Sequence, residues 1–73
     1  MDDELLILAE LTAEELARRY VKGELRTSSE IINDITEMIG GLSSYGINAQ
    51  RIIIELSKQG YLERPKGYIK FLH

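Results

Sequence analysis

Apolar side chains recur along this chain in two rhythms, a helical one over most of its length and an alternating one near the end. Asp2, Asp3 and Glu4 supply the negative charge that a helix N-terminus favours. Leu5, Leu8 and then Ala9 or Leu11 follow at helical spacing, which predicts a helix from about Asp3. Thr12-Ala13-Glu14-Glu15 is a capping box, with Leu11 and Leu16 placed as a hydrophobic staple, so the segment is either one bent helix or two. It runs through Leu16, Ala17, Tyr20 and Val21 to Lys22, where Gly23 is placed to end it.

A second capping box, Thr27-Ser28-Ser29-Glu30, opens a helix whose apolar face is Ile31, Ile32, Ile35, Ile39 and Leu42, closed by Gly40-Gly41. Ser43, Ser44, Tyr45 and Gly46 form a polar connection. Asn48 is then a good N-cap for a helix from Ala49 to Gln59 that Gly60 ends, with Ala49, Ile52, Ile53 and Leu56 facing inward.

After Gly60 the period changes. Tyr61 to Arg64 and Tyr68 to Leu72 read as two short strands around Arg64-Pro65-Lys66-Gly67, where Pro at the second turn position and Gly at the fourth favour a type I turn with a bulge. Two registers stay open: alternation sets Leu62 opposite Ile69, and a bulged three-residue loop sets Arg64 opposite Tyr68.

The 73 residues make one domain, with an N-terminal helical segment over 1–26, a helix pair over 27–60 and a hairpin over 61–72. Apolar and charged shares of 44% and 29% are those of a folded globular protein. No cysteine is present, which excludes disulfides, thiolate zinc sites and cysteine nucleophiles, and fits a reducing compartment. The apolar run Leu5-Leu6-Ile7-Leu8 has no basic segment before it and polar neighbours on both sides. The expectation is therefore a soluble, cytoplasmic protein with no membrane association.

Catalysis has little to work with. The single histidine, His73, is terminal and has no imidazole or thiol partner, so neither a metal cluster nor a nucleophile-base pair can be assembled around it. Asp2, Asp3, Glu14 and Glu15 are accounted for by capping and the helix dipole. Gly40-Gly41 lacks the surroundings of a phosphate-binding loop. No enzyme activity and no cofactor are expected.

The order of capped helix, turn, capped helix, glycine and terminal hairpin resembles the winged helix-turn-helix superfamily, a mostly α fold with a C-terminal β-hairpin. Ile52-Ile53-Ile54-Glu55-Leu56-Ser57-Lys58-Gln59-Gly60-Tyr61-Leu62-Glu63-Arg64 looks like the end of a recognition helix entering a wing, with Leu56 and Leu62 at the core positions. The resemblance covers residues 27–73 and touches residues 1–26 only through their helical character. The joint from Gly40 to Ile47 is longer than the usual tight turn. A rival register makes Leu11 to Ala17 the first helix of the motif and starts the second near Thr27, but no hairpin would directly follow it.

The resemblance implies a sequence-specific reader of double-stranded DNA, a small transcriptional regulator that sets the helix from Asn48 to Gln59 in the major groove and the hairpin beside it. The side chains suit that role. Asn48 and Gln50 can pair with adenine, Arg51 with guanine, and Ile54 can meet a thymine methyl, with Glu55 and Lys58 on the same outward arc. Arg64, Lys66, Tyr68 and Lys70 of the hairpin would reach phosphates or the minor groove. The charge divides accordingly: residues 1–45 carry −6 and residues 46–73 carry +3, within a total of −3. Leu5, Leu6, Ile7 and Leu8 surround the first helix with more apolar surface than one small core covers. This suggests a homodimer through Leu5, Leu6 and Leu8. A rival reading is a winged-helix adaptor that binds a protein partner through Ile54 and Tyr68 or through the first helix.

Overall fold

The computed structural model describes residues 3–40 and 48–73. The described chain is mostly helical with a small antiparallel sheet, in the order α1 (Asp3–Arg19), β1 (Leu25–Thr27), α2 (Ser28–Ile39), α3 (Ala49–Lys58), β2 (Leu62–Glu63) and β3 (Tyr68–Phe71). Leu42 and most of the long joint expected between the paired helices lie outside the described residues.

The N-terminal segment is one helix. Leu5, Leu8, Ala9, Thr12 and Leu16 form an unbroken inward stripe, and Thr12, 3% exposed, is buried within it instead of capping a new start. Packing overrides the local capping signal. The helix stops at Arg19, short of Lys22, because the Glu24 carboxylate accepts the Val21 N–H at 2.9 Å and the Glu24 N–H returns to the Val21 carbonyl at 3.0 Å. That reversal delivers β1, a strand that the pattern of apolar positions does not predict.

β3 is the central strand, flanked by β1 and β2. Leu25 lies opposite Lys70 and Thr27 opposite Tyr68 on one side, while Leu62 lies opposite Phe71 and Glu63 opposite Lys70 on the other. Neither expected hairpin register forms. Pairing Arg64 with Tyr68 would set Leu62 against Lys70 and bury a charge, because a one-residue slip exchanges the two faces. Pairing Leu62 with Ile69 keeps the faces, so the turn decides between that register and the observed one. The Tyr68 N–H donates to the Pro65 carbonyl at 2.8 Å, and Gly67 has φ +81° at the third position of this tight turn, where a type II turn requires it. Pro65 is thus the first turn residue, not the second.

The three helices, β2 and β3 meet in one core, to which β1 adds no buried side chain. Ile31, Ile35 and Ile39 of α2, Ala49, Ile52, Ile53 and Leu56 of α3, and Leu62, Ile69 and Phe71 of the sheet close on Leu8, Ala9 and Leu16 of α1. Among the described residues, no helix is long and apolar enough to cross a membrane.

Candidate nucleic-acid interface

α3 is held at both ends by its own sequence. The Asn48 Oδ1 accepts the Arg51 N–H at 3.1 Å, as an N-cap should, so this oxygen is committed to the backbone and the amide nitrogen is what remains for a ligand. At the other end the Gly60 N–H donates to the Ser57 carbonyl at 3.2 Å and the Tyr61 N–H to the Leu56 carbonyl at 3.0 Å, with Gly60 at φ +83°. This pair of bonds is a Schellman motif, and it turns the chain directly into β2.

With Ala49, Ile52, Ile53 and Leu56 buried, the outward arc follows from helical spacing. Gln50, Ile54 and Ser57 form the row nearest the hairpin, Arg51 and Lys58 the next, and Glu55 the far edge. Glu55 lies along its own helix, accepting from Gln59 Nε2 at 2.7 Å. Gln50 and Ile54 line a groove of about 240 Å³ together with Ser28, Ile32, Ile53, Ile69 and Arg64. A second, shallower depression joins Ser57 to Glu63, Arg64, Pro65 and Lys70. The fold therefore brings Gln50, Arg64 and Lys70 onto adjoining surface. Lys66 stands exposed at the hairpin tip, and Tyr68 is exposed on the face of β3 that also carries Lys70.

Ser28 and Ser57 carry no signal of an interface role in the sequence. The capping box fixes Ser28 at the start of α2, but its place in the groove depends on the hairpin returning beside it, where the Ser28 N–H donates to the Gly67 carbonyl at 3.1 Å.

The cations divide by partner. Arg18 and Arg19 both bind Glu15, at 2.9 and 3.1 Å, and these guanidiniums, Arg19 first, hold the Glu15 carboxyl below its usual range. Arg26 donates from Nε to Glu24 at 2.6 Å and from Nη1 to Glu30 at 3.2 Å, while its guanidinium lies 5.3 Å from the centre of the Tyr20 ring. The Val21 N–H and then Arg26 lower the Glu24 carboxyl, and Glu24 in turn raises Arg26. Tyr20 stacks on Phe71 with centroids 4.7 Å apart and donates its hydroxyl to Asp34. These contacts fasten β1 to both neighbouring helices. By contrast Lys58, Arg64, Lys66 and Lys70 make no ion pair among the described residues, and neither does Lys22.

On α1, Leu5 is half-buried and Leu6 is 38% exposed, but Leu8 is 5% exposed and lies in the core. Leu8 is therefore not available to a partner. The apolar surface of the helix is instead Leu6 with Ile7 and Leu11, which are 58% and 53% exposed. Comparison with protein-family models, with curated proteins and with solved structures finds no match to this chain.

Proposed function

We propose that this protein is a winged-helix reader of double-stranded DNA, acting by occupancy as a small transcriptional regulator. α2 and α3 are its helix pair, α3 enters the major groove, and the β2–β3 hairpin is the wing, braced by β1. The observation that carries the reading is the division of the cations. Arg18, Arg19 and Arg26 are neutralised by carboxylates, whereas Lys58, Arg64, Lys66 and Lys70 stand unpaired among the described residues on the helix and hairpin that also present Gln50 and Arg51, with Lys22 set apart from them in the turn after α1. Unpaired cations beside hydrogen-bonding side chains suit a polyanion whose base edges carry the sequence.

Two pairs of substitutions test it. Replacing Gln50 and Arg51 with Ala relaxes the choice between sequences, at about 1–3 kcal/mol for each base that is no longer read. Replacing Lys66 and Lys70 with Ala weakens every duplex alike and flattens the salt dependence by about one unit for each phosphate that is no longer neutralised. Duplex binding that neither pair alters contradicts the assignment. The exposure of Ile54 and Tyr68, 39% and 46%, favours a second reading, a protein-binding adaptor. Such an adaptor gives no salt-sensitive duplex binding in the same titrations.

A further inference from the structure

Ile54 contrasts with its surroundings. The neighbouring outward positions of α3 are Gln50, Arg51, Glu55, Ser57 and Lys58, yet this isoleucine stands 39% exposed among them. The core does not need it, since Ala49, Ile52, Ile53 and Leu56 already fill the inner stripe. It shares a row with Gln50, one turn earlier, and both line the groove whose wall continues into Ile32, Ile53 and Ile69 and whose edge carries Ser28 and Arg64. An apolar side chain kept in water on a binding face gains only when an apolar group meets it. In the major groove that group is the C5 methyl of thymine, and the partner of a side-chain amide is the N6/N7 edge of adenine.

Resting on the DNA-binding reading above, we propose that Ile54 and Gln50 are a specificity-determining pair that reads a thymine methyl and a neighbouring adenine. Four helical residues rise about 6 Å and one base step about 3.4 Å, so the two bases lie within about two steps of each other. The preferred site thus contains an A·T pair and a T·A pair, or two of one kind, at that spacing. Arg51, one row further round α3, reads outside this pair.

The test uses the full chain and a preferred duplex selected from random sequence, with each thymine replaced in turn by uracil. Uracil keeps every hydrogen-bonding group and lacks only the methyl. One position is expected to weaken wild-type binding about fourfold, the worth of one buried methyl group. That sensitivity disappears in Ile54→Ala and persists in Ile54→Leu. Gln50→Ala keeps the uracil effect and accepts other base pairs at the adenine position. If no thymine responds in the wild type, or Ile54→Ala responds as the wild type does, the pair is not the reader, although duplex binding stands. Failure to select or bind any duplex removes the DNA-binding reading itself.

Discussion

Tyr20 joins more of this molecule than any residue of the proposed interface does. It closes α1, stacks on Phe71 of β3, lies under Arg26 of β1 and donates to Asp34 of α2. Burial, and then the hydrogen bond to Asp34, push its phenol up to about 12 from 10.0. Because the folded state holds this proton more tightly than the unfolded chain, the stabilisation is complete below pH 10 and is lost as pH rises towards 12. Glu24 works in the opposite sense. Its carboxyl is lowered from 4.5, so its contribution is present above that value and is lost as pH falls through the lower folded one. Denaturant midpoints measured from pH 9 to 12 should fall steeply in the wild type and less so in Tyr20→Phe, which loses about 1 kcal/mol at neutral pH with its hydrogen bond. Parallel curves for the two proteins would show that Tyr20 is not the titrating group.

At the scale of elements, the two ends of α3 set the angle between helix and hairpin. Gly60 adopts φ +83° with no atom near where a Cβ would stand, so Gly60→Ala meets backbone strain and no collision. Such a residue costs about 1–2 kcal/mol in the left-handed region, which thermal melts should register as a lower Tm. An unchanged Tm would mean that the chain leaves α3 by another path. α2 and α3 were legible in the sequence because Thr27, Asn48 and Gly60 mark helix ends locally, and their isoleucines name the inner faces. β1 was not, since Leu25-Arg26-Thr27 is too short to reveal alternation and its partner, β3, lies some forty residues further on. The Thr12 capping box misled for the opposite reason: a sound local signal yielded to the stripe from Leu5 to Leu16. The candidate contact residues could be named from their types and positions. That Gln50 and Arg64 share one groove with Ser28 could not, because only the hairpin's register and its bond to Ser28 place them together.

Across the whole molecule, the net charge of −3 separates into an acidic N-terminal half and a basic C-terminal one. Arg18, Arg19 and Arg26 pair with carboxylates of their own half, which leaves its net charge unchanged. On the proposed DNA-binding reading, this division of charge would turn α3 and the hairpin towards the polyanion. The outward face of α1 carries Leu6, Ile7 and Leu11, with Asp3 and Glu4 in its first turn and Arg18 and Arg19 in its last. A two-fold contact through these apolar side chains would bury them in the homodimer that the sequence suggests. Sedimentation equilibrium should find a dimer that Leu11→Glu dissociates, whereas a monomeric wild type at high micromolar concentration excludes it.

A DNA-binding surface on α3 and the hairpin should reveal itself when the protein is titrated with mixed-sequence duplex over a range of salt concentrations. With Lys58, Arg64, Lys66 and Lys70 each releasing about one counterion, log K should fall linearly with log salt at a slope of about −3 to −4 per protomer. Absence of duplex binding at low salt, or binding that salt leaves unchanged, would mean that α3 and the hairpin are not a DNA-binding surface.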